Sequence, residues 1–352
     1  MTFAAEKLVD WPTARTVGDH VSGPGPQLSA LDRARLFEDF GEVVPEAESL
    51  VTDFTGLVPG GSRSRPWVMS RGQWVRANLQ GFERLLEPFA RKVMAGRSER
   101  GALTGARRAV LGVQIGGLVG YLGRRVLGQY DLFLPPDDDG LIYFVGPNVV
   151  SIERKFDFEE RDFRLWLSLH EVAHRIQFGG TPWLRGYLSG LMDSYLETVE
   201  VDAKWLVDAA RRAAEEIRTN RAEYRGFGWI FLLMTPDQRE MVRKMQAMMS
   251  LLEGHATYVM NNVARGRLPS AARFHATLHA RRTQPGPEKV FQKAIGFDVK
   301  VRQYDAGERF VSSVVDRLGM DGFNRVWERE ANLPTMEEVG EPDRWVARVA
   351  AS

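Results

Sequence analysis

His170-Glu171-Val172-Ala173-His174 sets two imidazoles four residues apart with a carboxylate beside the first. On a helix, positions i and i+4 share a face, so both rings can reach one divalent ion. Glu171 is offset from that pair yet near enough to hydrogen-bond a water on the ion. Zinc lowers the pKa of such a water and a carboxylate so placed removes its proton, which is the chemistry of metal-assisted hydrolysis. The expected metal ligands are therefore His170 and His174, with Glu171 catalytic and Zn2+ the cofactor. Two neutral core histidines, each bonded to backbone, are the competing explanation of the spacing.

A catalytic zinc takes three protein ligands and leaves a fourth position for water. Asp193, Glu197 and Glu200 are the next acidic residues after His174. The other source is the segment Ser250-Leu251-Leu252-Glu253-Gly254-His255-Ala256-Thr257. Its helix carries an apolar stripe of Val242, Met245, Met249, Leu252, Ala256, Val259 and Val263, with Glu253 on the stripe's edge. A carboxylate at an apolar edge needs a compensating partner, and a metal is one. Glu253 and His255 diverge by roughly 160° around a regular helix, so they do not serve one ion together. Glu253 is the favoured third ligand, while Asp193, Glu197, Glu200 and His255 stay open at this point.

Other chemistries find less support. Glu171-x-x-His174 is half of a di-iron carboxylate site, but none of His20, His255, His275 or His279 follows a Glu by three residues to supply the other half. His275 and His279 repeat the i, i+4 spacing among Arg273, Arg281 and Arg282, and those cations disfavour a dication. That pair reads as a solvated face. The chain has no phosphate-binding loop, no dinucleotide fingerprint and no G-x-S-x-G nucleophile elbow.

The elements that must position these residues are mainly helical. Helical spacing covers Leu28 to Leu57, Gly72 to Met94 with an interruption at Pro88, and Asp162 to Phe178 with Asp162 as cap and Gly179-Gly180 as stop. Further helices are expected over Leu184 to Ala214, Pro236 to Arg265, Glu288 to Ile295 and Ala306 to Leu318. Gly23-Pro24-Gly25-Pro26 and Val58-Pro59-Gly60-Gly61 read as loops. Tyr130 to Leu134 and Leu141 to Val145 read as a β-hairpin. The apolar segment Ala109 to Gly123 is short of the ~20 residues of a membrane span, and Gly112, Gly116 and Gly120 mark it as a buried helix that a neighbour approaches closely. The expected class is mainly α (α+β), one unit over 1–352, with a helical part at 1–100 and a metal-site part at 101–352.

Composition narrows the partners. The 352 residues carry 47 basic and 46 acidic side chains, a net charge of +1, which gives no basic excess for nucleic acid. No cysteine is present, so disulfides, thiolate metal sites and cysteine nucleophiles are excluded. With no signal-like apolar stretch near Met1, the expected place is the cytoplasm, with no membrane partner.

Several blocks together resemble one family: Val126 to Phe133, Gly146-Pro147-Asn148, Asp162 to Phe178 around the two histidines, Pro182-Trp183-Leu184-Arg185, Leu251 to His255, and Gln303-Tyr304. They are similar to the zincin-like zinc-dependent metalloproteases of actinobacteria, often labelled as associated with biosynthesis of a deazaflavin coenzyme. The resemblance runs from near Trp11 to Trp345. It implies a helical zincin-like fold, zinc at His170 and His174, Glu171 as the catalytic residue, and Glu253 ahead of the other acids as third ligand. The expected substrate is a peptide or a small amide, its identity left open by the resemblance. Two rivals are a zinc-stabilised binding or regulatory protein without turnover, and a zinc hydrolase acting on a non-peptide amide or ester.

Overall fold

The backbone alternates long helices with a small sheet, and the chain divides into two units, 1–50 with 60–175 and 51–59 with 176–352. A computed structural model describes residues 8–95, 105–131, 140–198, 234–283 and 298–350.

The first unit begins with α1 (Trp11–Ser22), capped by Asp10, whose carboxylate accepts from the Thr13 amide. Helix α2 (Ala30–Thr55) opens on a reciprocal cap: Ser29 N–H donates to Asp32 at 2.8 Å and Asp32 N–H donates to the Ser29 hydroxyl at 3.0 Å. Strand β1 (Arg65–Met69), α3 (Arg71–Ala95), α4 (Gly105–Gly123), β2 (Gly128–Tyr130), β3 (Leu141–Val145) and α5 (Gly146–Phe156) follow. The expected buried glycine helix is α4: Gly112, Gly116 and Gly120 face α1, where a Cβ on Gly116 would collide with the Ala14 carbonyl. Among the described residues no helix is long and apolar enough to cross a membrane.

The sheet has the order β1-β3-β2. β2 pairs antiparallel with β3, as a hairpin would, but it spans Gly128–Tyr130 rather than starting at Tyr130, and residues 132–139 lie outside the described residues. β1 pairs parallel with β3, Arg65 opposite Leu141 through Met69 opposite Val145. Sequence reading missed it because Arg65-Pro66-Trp67-Val68-Met69 has little alternation and a proline. An edge strand tolerates that proline. The core beside the sheet joins Trp11, Ala14, Met69, Trp74, Val75, Leu79, Val119, Tyr143 and Val145.

Helix α6 (Glu160–Gly180) carries the histidines. Its cap is Glu159, which accepts from the Asp162 amide at 2.5 Å, so the expected cap Asp162 sits inside the first turn instead. Arg164 fixes the helix to its neighbours. The guanidinium is buried and bonds both oxygens of Glu153 on α5 at 2.9 Å, with Asp39 of α2 and Glu160 completing the shell. Burial pushes the Glu153 carboxyl up, against the pull of Arg164. Two other expectations change: α3 runs through Pro88 without interruption, and the helix over Ala306 to Leu318 begins earlier.

The second unit holds the last turn of α6, α7 (Pro182–Thr198), α8 (Pro236–Ala264), α9 (Ala271–Thr283), α10 (Asp298–Asn324), α11 (Met336–Gly340) and α12 (Pro342–Ala350). α8 starts on a capping box between Thr235 and Gln238. α8 and α10 cross where Gly254 meets Gly307, so closely that a Cβ on Gly307 would strike the Ser250 carbonyl. The expected helix at Glu288 to Ile295 and the distal part of the one expected to reach Ala214 lie outside the described residues.

Candidate metal centre

From Phe163 to Phe178, every residue of α6 is buried except His170 and His174, which are half-buried. Leu169, Val172, Ala173 and Ile176 make one buried face of the helix, and the imidazoles stand off it. Core histidines would be enclosed. These two instead turn their Nε2 atoms toward each other at 3.2 Å, with ring planes crossed at 89°. Two nitrogens each ~2.0–2.1 Å from a tetrahedral zinc lie about 3.3–3.4 Å apart. The pair already has the bite of a zinc chelate.

Glu171 is buried and points toward the sheet. Its Oε2 accepts from the backbone N–H of Tyr130 on β2 at 2.9 Å. Sequence reading assigned Glu171 its role but had no signal for this partner, because a backbone donor leaves no residue type to read.

In the second unit, the last turn of α6 is tied to α8. Gln177, buried, donates from Nε2 to the Leu252 carbonyl at 2.9 Å and bonds His255 Nδ1 at 2.8 Å. An amide nitrogen cannot accept, so Nδ1 of His255 is the acceptor in this bond. His255 is also fully buried, stacked on Phe323 with a centroid distance of 5.3 Å. These contacts brace α8, and His255 is not in the metal-capable group found among the described residues. Glu253, one residue before Gly254, is half-buried on the same strip as Met249.

His170, His174 and Glu253 each offer one ligand atom, and the three atoms lie within 4.8 Å of one another. No other such group of His, Asp and Glu occurs among the described residues. Asp193 and Glu197 are exposed on α7 and outside this group, and Glu200 lies outside the described residues. His275 and His279 are not in it either: His279 is exposed, with Asp305 at 3.9 Å. Two imidazoles and one carboxylate form a donor set suited to zinc, with an acidic neighbour, Glu171, outside the set.

Comparison with known proteins agrees with this chemistry. The model of the family described as zincin-like metallopeptidase matches residues 9–346. Among solved structures, the chain is similar to a protein from Chloroflexus aurantiacus, provisionally assigned as a hydrolase with a novel fold. The two are 30% identical over 98% of this chain and 99% of the other, with a TM-score of 0.73. No curated protein matches. A helical chain with a three-stranded sheet, an HExxH helix and a family match over nearly its whole length is an enzyme of the hydrolase class, and it belongs to the zincin-like metallopeptidase family.

Proposed function

We propose that the chain is a zinc-dependent metallopeptidase in which His170, His174 and Glu253 hold the ion and Glu171 is the general base. The observation that carries this reading is the approach of the two Nε2 atoms to 3.2 Å on a helix whose other residues there are buried. Such convergence costs side-chain freedom and serves packing poorly. A shared cation explains it.

A bound Zn2+ would supply Lewis acidity, lowering the pKa of a water and polarising the carbonyl of the bond to be cut. The remaining work falls to the chain. As ligands, His170 and His174 would bind through neutral imidazoles, and Glu253 would contribute one negative charge to the donor set. Glu171 takes a proton from the attacking water and passes it to the departing amine. Its placement beside His170, outside the ligand set, keeps it available for both transfers. The absence of cysteine suits the reducing cytoplasm, the compartment this reading assigns.

The test compares purified wild type with Glu171→Gln against a peptide library and against cell extract. The reading expects cleavage of peptides by the wild type, with turnover down at least 10³-fold in the variant and zinc content unchanged. Turnover equal to wild type in the variant removes Glu171 from the mechanism. Products only from non-peptide amides or esters, including intermediates of deazaflavin coenzyme biosynthesis, would move the substrate class while keeping the hydrolytic centre.

A further inference from the structure

The edge of the small sheet meets the HExxH helix at one place, and all of the atoms involved lie in the first unit. In an antiparallel pair the residues alternate between exchanging hydrogen bonds with the partner strand and pointing those groups away. Val145 N–H donates to the Leu127 carbonyl at 2.9 Å, so Leu127, and with it Gln129 opposite Tyr143, face β3. Gly128 and Tyr130 then present their backbone groups to the side away from β3. Among the described residues β2 is the last strand on that side. The outward N–H of Tyr130 is the group that donates to Glu171 Oε2 at 2.9 Å.

Gly128 makes room for the carboxylate. A Cβ built there would sit 2.8 Å from Glu171 Cγ and 3.0 Å from Oε1. Any residue but glycine pushes the Glu171 side chain away from the strand. Two backbone features of β2, one donor and one missing side chain, therefore act on the same carboxylate. Both Tyr130 and Glu171 are buried, so water competes weakly for this charge-assisted hydrogen bond.

We propose that Gly128 and the Tyr130 amide form a positioning cradle for Glu171, setting the rotamer and carboxylate plane from which it acts as base. The catalytic meaning of the cradle rests on the metallopeptidase reading; its existence does not. A base must meet its proton in the right geometry, and a displacement of about 1 Å costs roughly 10²-fold in rate. A peptide that added to β2 as a further strand would compete with Glu171 for the Tyr130 amide, so the cradle also bears on how substrate uses this edge.

The first arm needs neither zinc nor substrate. In 15N-labelled protein, the Tyr130 amide should exchange slowly although it faces away from the ladder. Glu171→Ala should accelerate its exchange at least 10-fold and move its 1H shift upfield, with the Gln129 amide unchanged. Glu171→Gln should retain protection, because its side-chain carbonyl still accepts. Equal protection in Glu171→Ala overturns the cradle. The second arm takes Gly128→Ala, which should keep zinc stoichiometry and KM while lowering kcat 10- to 100-fold on a peptide that the wild type cleaves. An unchanged kcat overturns the positioning role. If Gly128→Ala fails to fold, the first arm decides alone. If the wild type cleaves nothing, the metallopeptidase reading fails while the exchange result still decides the cradle.

Discussion

Gln177 is hydrogen-bonded to His255, its Nε2 lying 2.8 Å from the ring Nδ1, while the same nitrogen donates to the Leu252 carbonyl at 2.9 Å. The pair brackets Glu253 in sequence: Leu252 precedes it and His255 follows two residues on. Gln177 itself lies three residues beyond His174 on α6, one turn along the same helix. The helix that carries the imidazoles is thus bonded, through its own next turn, to the turn that carries the proposed third ligand.

Gln177→Ala should therefore affect both stability and metal binding. It removes two buried hydrogen bonds, and leaving such partners unsatisfied costs about 1–3 kcal/mol. Denaturant titration reads the stability loss, and zinc titration should show affinity weakened several-fold. A variant with wild-type zinc affinity would mean that Glu253 is held by other contacts.

The crossing of α8 and α10 sets the next expectation. Gly254→Ala and Gly307→Ala each put a methyl into backbone of the facing helix, and overpacking of this kind costs about 1–3 kcal/mol. Gly117→Ala is the control: it is helical with nothing within 4 Å of the added carbon, and should be neutral or stabilising by up to ~1 kcal/mol. Thermal melts of the three variants separate close approach from a general intolerance of substitution.

At the other end of α6, Arg164→Ala leaves Glu153 buried without its main partner, and breaking a buried pair this way costs about 3–5 kcal/mol. Arg164→Lys keeps the charge but loses the paired bonds to both Glu153 oxygens, so it should recover only part of the loss. Denaturant titration of both variants, with zinc binding measured below the unfolding transition, checks this. Full recovery by lysine would show that charge alone matters there.

The cap of α2 gives a pH signature. Hydrogen bonds from Ser29 to the Asp32 carboxylate, and then Arg154, hold its pKa at about 2 against an ordinary 3.8. The folded value is depressed, so this contribution is fully present above 3.8 and fades as pH falls toward about 2. Asp32→Asn should remove that part of the acid limb. Stability curves between those two pH values compare the variant with wild type, and identical slopes would contradict the assignment.

Much of the candidate centre was legible because its signals are local. His170, Glu171 and His174 share one helix, and helical spacing places two of them on one face without tertiary knowledge. Glu253, the proposed third ligand, was harder, since only its place beside Met249 and a resemblance favoured it. The rest depended on backbone. Neither the Tyr130 amide under Glu171 nor the glycine contact beneath Glu253 leaves a side-chain pattern, and β1 was lost because its pairing with β3 is long-range and parallel. His255 was left open because its contact with Gln177, far off in sequence, leaves no local signal.

The central claim is that two imidazoles of α6 and one carboxylate of α8 hold zinc. Glu253→Ala should lower zinc affinity by about 10²-fold, whereas Asp193→Ala and Glu197→Ala should leave it within twofold. The most direct measurement is metal content after zinc loading and exhaustive buffer exchange, on wild type and on the double variant His170→Ala/His174→Ala. The expected result is one zinc per wild-type chain and none in the double variant, with both folded by circular dichroism. A wild type that retains no metal, or a double variant that retains one equivalent, would contradict the claim.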